Sequence, residues 1–190
     1  MAIVITIATI TGIMLLVAGL LLPFVNSVSA INHHRSSSDS SYNVITAGCS
    51  TGSIVATDGT HMPDLMLGCD LGDVMYGKAD SDVLQGRLDD DRLYGNSGDD
   101  SLEGGAGGDE LYGGVGDDVI FAGFEDDFLV AGKGNDELYA EDGNDLLEGG
   151  DGGDGADYFD CGDGLDVIVD FEPSKGDTHT NNCEDVRERL

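Results

Sequence analysis

Aspartate residues recur at a constant interval along most of this chain, and they are its main candidates for chemistry. From Asp64 to Asp166, twelve Asp residues follow one another at intervals of nine, with one three-residue insertion at 149–151. A large apolar residue lies two positions after each of them, from Met66 to Ile168. Two positions that stay in phase over this length indicate a repeat architecture, because chance richness in Asp and Gly would not keep them in step.

Each Asp belongs to a nonapeptide of the pattern G-G-x-G-x-D-x-U-x, where U is a large apolar residue, and the clearest copies occupy 104–112 and 113–121. Gly at the first, second and fourth positions allows tight turns, including positive φ. The last three residues predict a short strand whose middle side chain points inward. We therefore expect six turn residues and three strand residues per repeat, and two repeats per turn of a solenoid of parallel strands about 4.8 Å apart.

Alternate Asp residues fall on the same edge of such a solenoid. Carboxylates stacked so closely repel one another and need a cation between them, and the Gly-rich turns direct backbone carbonyls into the same gap. This oxygen-only shell is the one that Ca²⁺ prefers, whereas Mg²⁺ needs a stricter octahedron and Zn²⁺ prefers His or Cys. One edge carries Asp64, Asp82, Asp100, Asp118, Asp136 and Asp157, and the other carries Asp73, Asp91, Asp109, Asp127, Asp145 and Asp166.

The composition excludes several classes of function. The chain has 190 residues with 38 acidic and 8 basic side chains, for a formal charge of −30, so no surface could neutralise nucleic-acid phosphates. The repeats fill 59–169 and leave no room for a conventional catalytic domain. Residues 48–52 match G-x-S-x-G, but no βα alternation surrounds them and no Asp and His partners are apparent, so we take the match as chance. We expect no enzyme activity.

The N-terminal segment predicts export. Residues 3–25 are almost continuously apolar and long enough to span a bilayer as a helix, and Val28-Ser29-Ala30 offers a small-residue cleavage site. No Lys or Arg precedes the apolar run, which is atypical of a signal peptide. We favour a cleaved signal peptide over 1–30, and the alternative is an uncleaved membrane anchor. Either interpretation places the rest of the chain outside the cytoplasm, secreted or anchored at the cell surface, with membrane contact only through 1–30.

The segments on either side of the repeats are predicted to be a linker and two caps. Residues 31–58 begin as a Ser-rich linker and continue as one or two capping strands, and 170–190 form a C-terminal cap. Four cysteines lie near the two ends of the repeats. Of the three pairings that four cysteines allow, we predict Cys49–Cys69 and Cys161–Cys183, one disulfide at each end.

The repeat block closely resembles the hemolysin-type calcium-binding repeats, known as RTX nonapeptide repeats, whose fold is a parallel β-roll. The resemblance covers 59–169 and implies Ca²⁺ between consecutive loops on each edge, held by the sixth-position Asp and by turn carbonyls. Six loops per edge leave five gaps, so the resemblance implies at most about ten ions. The ligands that it implies are Asp82, Asp91, Asp100, Asp109, Asp118, Asp127, Asp136, Asp145, Asp157 and Asp166. The loop glycines are Gly95, Gly98, Gly104, Gly105, Gly107, Gly113, Gly114, Gly116, Gly132, Gly134, Gly143, Gly152, Gly153 and Gly155, followed by Gly162 and Gly164.

Several loops depart from this pattern at the fourth position. Asp tolerates a left-handed turn better than Leu, Met or Glu does. We therefore do not expect Asp64 and Asp73 to bind metal, whereas we retain Asp82 and Asp91, and we expect the insertion at 149–151 to distort the gap before Asp157. The departing residues are Met62, Leu71, Asp80, Asp89 and Glu125.

The outer faces carry a second regularity. Tyr76, Tyr94 and Tyr112 are eighteen residues apart and are predicted to line up on adjacent strands of one sheet. The ladder could be a surface for self-association or for another partner. The interpretation that we favour is that it stabilises the strands.

The fold class that these observations predict is all-β: a right-handed parallel β-roll solenoid of about twelve nonapeptide repeats, preceded by an N-terminal hydrophobic helix. One inward apolar side chain per repeat makes a thin core, so we expect 59–169 to fold only with Ca²⁺. The predicted function is that of an exported calcium-binding protein, structural or adhesive at the cell surface or in the extracellular matrix. The alternatives are a folding and secretion module left from an RTX-type enzyme or toxin, and a Ca²⁺-dependent scaffold for a partner.

Overall fold

The computed structural model describes residues 31–33, 43–47, 55–150 and 155–189, and its regular elements there are all β-strands. Most successive strands alternate between two sheets, and they build a parallel solenoid of about seven turns. The described residues include no helix of the length and hydropathy needed to cross a membrane. The hydrophobic helix predicted within 1–30 lies outside these residues.

Ten strands form the first sheet, sheet A. All its pairings are parallel except that of β1, which runs antiparallel to β2 and closes the front of the sheet. The strands, in spatial order, are β1 (Ile31–His33), β2 (Asn43–Thr46), β4 (Asp64–Leu67), β6 (Val83–Leu88), β8 (Ser101–Ala106), β10 (Val119–Phe124), β12 (Glu137–Gly143), β14 (Tyr158–Asp160) and β17 (Thr178–His179), and β15 (Asp163–Gly164) also pairs with β12.

Eight strands form the second sheet, sheet B, and all of its pairings are parallel. From the front to the rear they are β3 (Val55–Asp58), β5 (Asp73–Tyr76), β7 (Arg92–Ser97), β9 (Glu110–Val115), β11 (Phe128–Lys133), β13 (Leu146–Glu148), β16 (Val167–Phe171) and β18 (Asp185–Glu188).

The core is the narrow space between the two sheets. Equivalent residues of neighbouring turns pair in register, as Leu84 does with Leu102 and Leu102 with Ile120. The eighth-position side chains of all repeats are 0% exposed, from Met66 to Ile168, which confirms the predicted inward column. Small residues at the first position, such as Ala122, fill the rest of the interior.

The central strands are longer than predicted. Strands β6 to β11 each have six residues, so only three residues remain for each turn, and the prediction of six turn residues was wrong. The cause is that positions one to three continue to pair with the neighbouring turn, as Gly105 does with Gly123. The second position takes a positive φ within this pairing, 119° at Gly105 and 93° at Arg87, so the strand bends but does not end.

The segments predicted as caps extend the same stack. Asn43 of β2 pairs with Asp64 at the front, and Asp185 of β18 pairs with Val167 at the rear. The predicted disulfide between Cys161 and Cys183 is present and ties the last repeat to the C-terminal segment, with Cα atoms 5.2 Å apart. The predicted Cys49–Cys69 bridge involves Cys49, which lies outside the described residues.

The tyrosine ladder is present on the outer face of sheet B. The ring of Tyr94 is stacked on those of Tyr76 and Tyr112, with centroids 4.9 and 4.8 Å apart, and Phe128 contacts Tyr112 edge-on. Tyr94 therefore has a stacked ring on each of its two faces. Stacked rings of this kind stabilise adjacent strands, and the choice between this interpretation and a docking surface stays a prediction.

Candidate metal centres at the two edges

The repeating Asp side chains are buried along the two edges of the solenoid. All twelve, from Asp64 to Asp166, are at most 8% exposed. In each gap, Oδ1 of one Asp accepts the backbone N–H of the Asp one turn earlier. The Asp82 N–H donates to Asp100 at 2.7 Å, and the Asp109 N–H donates to Asp127 at the same distance. The stacked carboxylates are thus held in line by backbone donors.

The second oxygen of these carboxylates has no hydrogen-bond partner in nine repeats. A buried polar atom without a partner costs about 1–3 kcal/mol, and more when it is charged, so native proteins rarely leave one unsatisfied. A regular series of such atoms suits a row of positively charged ligands on each edge. The unpartnered atoms are Oδ2 of Asp82, Asp91, Asp100, Asp109, Asp118, Asp127, Asp136, Asp145 and Asp166.

Backbone carbonyls face the same spaces. A Cβ placed on Gly86 would lie 2.1 Å from Oδ2 of Asp91 and 2.7 Å from the carbonyl oxygen of Gly104, one turn later. The first-position glycine therefore keeps open a cradle lined by a carboxylate and a carbonyl. Among the described residues, no three acidic, His or Cys side chains converge on a metal site, so a cation here would take most of its ligands from the backbone. That donor set suits Ca²⁺.

A second carbonyl row follows from the fourth-position glycines. Gly116 has φ of 138°, and a Cβ on it would lie 1.9 Å from the carbonyl oxygen of Gly98 one turn earlier. Gly134 stands in the same relation to Gly116. Glycine suits so close an approach because it has no Cβ, and seven of the twelve repeats have glycine at this position.

Burial raises the pKa of the ladder carboxylates well above the ordinary value, because the charged form loses its hydration. Backbone hydrogen bonds act in the opposite direction but do not cancel the effect. The pKa rises to about 6 for Asp100 and Asp136, to about 7 for Asp82, Asp91, Asp109, Asp145 and Asp157, and to about 8 for Asp118 and Asp127. A bound cation would remove this penalty by favouring the ionised form.

The carboxylates of the first two repeats differ from the later ones in their hydrogen bonds, and these are the two repeats in which the sequence predicted no metal binding. Oδ2 of Asp64 accepts the Thr60 N–H at 2.5 Å, and Oδ2 of Asp73 accepts the Cys69 N–H at 2.7 Å. Both carboxylates are therefore satisfied by their own loops. The fourth-position residues of these repeats, Met62 and Leu71, are absent from the residues with positive φ, whereas Asp80, Asp89 and Glu125 adopt it.

The glycines predicted to form the loops divide into two groups. Gly95, Gly104 and Gly113 lie at the first position, against Oδ2 of the Asp in their own repeat. The others approach a carbonyl of the preceding turn: Gly98, Gly105, Gly107, Gly114, Gly116, Gly132, Gly134, Gly162 and Gly164 with positive φ, together with Gly143 and Gly155. Gly152 and Gly153 lie outside the described residues.

The insertion does not break the ladder. The Asp136 N–H donates to Oδ1 of Asp157 at 3.0 Å across a separation of 21 residues, and Asp145 donates to Asp166 at 2.8 Å. The expected distortion of this gap is therefore not seen in the hydrogen bonds.

Two residues that continue the ladders at the rear were missed in the sequence. Oδ1 of Asp177 accepts the Asp157 N–H at 3.1 Å, and Oε2 of Glu184 accepts the Asp166 N–H at 3.0 Å. Asp177 stands 20 residues after Asp157, and Glu184 stands 18 after Asp166, so the period was the only available signal. At the front, the Asn43 side chain donates to Oδ1 of Asp64 at 2.8 Å and begins the ladder.

A second, exposed row of side chains was also missed. It occupies the fifth position, directly before each buried Asp, and its Asp and Asn side chains accept the N–H of the fifth residue one turn later. Asp99 accepts the Asp117 N–H at 3.0 Å, and Asp117 accepts the Asn135 N–H at 2.8 Å. These carboxylates have backbone partners and contact solvent. Unlike the buried Asp residues, they therefore do not need a cation.

A family model for the RTX calcium-binding nonapeptide repeat matches the chain in four copies, over residues 70–102, 94–129 and 122–154. No curated protein shows a significant match to the chain, and no solved structure does so. The matched stretch begins after the first repeat, whose Asp64 is already satisfied by backbone. It includes most of the unpartnered carboxylates. Residues 70–154 of this chain belong to the RTX calcium-binding nonapeptide repeat family.

Proposed function

We propose that Ca²⁺ ions bind between successive turns along both edges and fold this chain into its β-roll, and that the protein is an exported structural or adhesive component of the cell surface or extracellular matrix. The observation that carries the calcium assignment is the row of nine buried Oδ2 atoms without a partner. Five of them, those of Asp82, Asp91, Asp100, Asp109 and Asp118, lie beside a first-position glycine, where an added Cβ would meet the carboxylate and a backbone carbonyl of the next turn.

The ligands in each gap are two successive Asp residues of one edge and the carbonyls of their turns. From Asp82 onward, five Asp residues on each edge enclose four gaps, so the two edges together enclose about eight sites. The gaps that involve Asp64 and Asp73 are excluded because backbone N–H groups already occupy those carboxylates. This reduces the upper limit of about ten ions that the repeat count alone implies.

Calcium is expected to be part of the folding reaction itself. The interior contains one large apolar side chain per repeat, so burial alone offsets little of the conformational entropy of ordering the turns. The chain carries a formal charge of −30, and the edge carboxylates are buried. Metal binding that occurs only in the folded state adds its free energy to folding. Without Ca²⁺, we expect 59–169 to be largely unfolded.

Three features support export, and a fourth supports a structural role. The apolar segment within 1–30 has the length of a signal peptide or anchor. The Cys161–Cys183 disulfide suits an oxidising compartment. Extracellular calcium modules bind Ca²⁺ at concentrations that are not reached in the cytosol. A long, repetitive sheet with no catalytic constellation recognised in its sequence favours a structural or adhesive component over an enzyme.

The calcium assignment is tested by circular dichroism and titration calorimetry on the chain without 1–30. We expect a cooperative gain of β signal in millimolar Ca²⁺, little gain in equal Mg²⁺, and a stoichiometry near eight ions. Equal β content in Ca²⁺-free buffer and in Ca²⁺ would overturn the folding role. Export is tested separately by fractionating cells that produce the native chain, and retention in the cytosol would contradict it.

A further inference from the structure

The outer face of sheet A carries an apolar groove of about 520 Å³ that crosses strands β6, β8, β10 and β12. Its floor consists of Gly105 and Gly123, which have no side chains to fill it. Phe121 lines one side and Phe124 the other, and these rings are 36% and 60% exposed. Two large apolar side chains beside a bare backbone floor are unusual on so acidic a chain.

The two ends of the groove carry opposite charges. Strand register places Arg87, Gly105, Gly123 and Glu141 in one row, one residue from each strand. Arg87 and Glu141 both line the groove, both are exposed, and neither forms a salt bridge among the described residues. The chain has only 8 basic residues against 38 acidic ones, so an exposed Arg without a carboxylate partner points to a partner outside the chain.

This row is complementary to itself. A two-fold axis parallel to the strands, midway between β8 and β10, reverses the order of the row in a second copy. Arg87 then faces Glu141 of the second copy, and the two glycine floors face each other. In the neighbouring row, Phe124 faces Ala106, so that a large side chain meets a small one. Two pairs do not match: Leu88 faces Asp142 at the rim, and one row earlier Glu103 faces Phe121, both of which line the groove.

We infer that this groove is the contact surface of a symmetric dimer, in which the occupant of each groove is the same face of a second copy of this chain. Isologous interfaces of this kind require one patch to complement itself, as the reversed row does. Four strands about 4.8 Å apart and six residues long cover roughly 400 Å², which is below the area of a standard interface. The dimer is therefore weak and forms at high local concentration.

The inference rests on the proposed function, because the sheet exists only in the folded roll and Ca²⁺ neutralises part of the repulsion between copies. The measurement is the mass of the chain without 1–30 in millimolar Ca²⁺, by analytical ultracentrifugation over a range of concentrations. Circular dichroism on the same samples separates failure to fold from failure to associate. We expect a folded chain whose mass rises from monomer to dimer with concentration.

Charge reversal supplies the decisive variants. Arg87→Glu and Glu141→Arg each place like charges at both ends of the dimer and should weaken it about tenfold or more. Each change is sterically tolerated, since Glu141 and Arg87 already occupy equivalent positive-φ positions, with φ of 71° and 93°. The double variant should restore association to within about threefold of the parent chain. The matched control is Lys133→Glu, which makes the same charge change on an exposed position of sheet B.

Each outcome decides the inference. Loss in both single variants with recovery in the double variant supports it, as does loss of association in Phe124→Ser with unchanged circular dichroism. A folded parent chain that stays monomeric at the highest concentration overturns it, and so does a dimer that persists in Arg87→Glu. Equal weakening by Lys133→Glu would show that net charge, and not the groove, controls association, and would also overturn it.

Discussion

The backbone N–H of Asp100 donates a hydrogen bond to Oδ1 of Asp118, one turn later, at 2.8 Å, and Oδ2 of Asp118 remains buried without a partner. One oxygen of the carboxylate thus holds two turns together, and the other is left for a cation. The same division recurs along both edges. It allows the structural role of the ladder to be separated from its metal-binding role by substitution.

Asp118→Asn should keep the hydrogen bond to Asp100 but remove the charge that a cation needs. We expect the Ca²⁺ midpoint of folding to rise about tenfold or more, because a buried anionic ligand is lost. The control is Asp117→Asn, the same change at the adjacent exposed position, where Asn135 occupies the next turn and accepts a backbone N–H in the same way. The measurement is a Ca²⁺ titration followed by circular dichroism. Equal midpoints in the two variants would contradict the site.

The metal-free chain should fold better in acid than in mild base. Burial raises the pKa of Asp100 to about 6 and of Asp118 to about 8, above the value of about 3.9 in an unfolded chain. The folded state therefore binds more protons than the unfolded state, and its stability is lost as the pH rises through about 6 to 8. Ca²⁺ should reverse this dependence, since the ligands must be ionised.

Circular dichroism in Ca²⁺-free buffer at about pH 5 and about pH 8 tests this expectation, with Ca²⁺ titrations run at both values. We expect more β signal at the lower pH without metal and tighter Ca²⁺ binding at the higher pH. More order at the higher pH without metal would show that the buried carboxylates do not control folding.

Gly116→Ala should destabilise the roll strongly. Its Cβ would lie 1.9 Å from the carbonyl oxygen of Gly98, and its φ of 138° disfavours any other residue. We expect a loss of about 3 kcal/mol or more in calcium-loaded unfolding by urea, together with weaker Ca²⁺ binding. Gly108→Ala is the control, because its Cβ would come no closer than 3.2 Å to a neighbouring atom. A similar small loss in both variants would mean that the turns are not tightly apposed.

Tyr94→Ala should reduce stability and leave the mass of the protein unchanged. Tyr94 is stacked on two rings, and each aromatic pair contributes about 0.5–1.5 kcal/mol, so we expect a loss of about 1–3 kcal/mol. Tyr94→Phe keeps both stacks and should unfold at the same urea concentration as the parent. Loss of self-association in Tyr94→Ala with unchanged stability would favour a docking role for the ladder instead.

The solenoid and its Asp rows could be predicted from the sequence, because both depend on the period alone. A residue such as Leu111 could be placed in the core, and Asp109 on an edge, from their phase. The phase does not show how a carboxylate divides its two oxygens between a backbone N–H and a cation, since that depends on the rise between turns. The phase also does not show the length of the strands. Gly105 and Gly123 pair as strand residues, although glycine at these positions indicates a turn.

The ends of the stack were harder to predict. Asp177 and Glu184 continue the two ladders from a segment in which the apolar repeat has stopped, so only a carboxylate at roughly the right distance marked them. The left-handed backbone of Arg87 was likewise hidden, because Arg is not a residue that favours positive φ. Strand pairing imposes that conformation, and the same pairing brings Arg87 into the row with Glu141.

The buried Asp row bonds each turn to the one before it, and the exposed Asp and Asn row bonds each turn to the one after it, both across 18 residues. In a chain built in this way, the number of repeats can change only in certain steps, although a loop can take a short insertion such as 149–151. Removing one full turn rejoins both rows and returns every later strand to its own sheet. Removing a single nonapeptide would move all later strands to the opposite sheet and would separate Tyr94 from Tyr112. Repeats can therefore be gained or lost by this protein only in pairs.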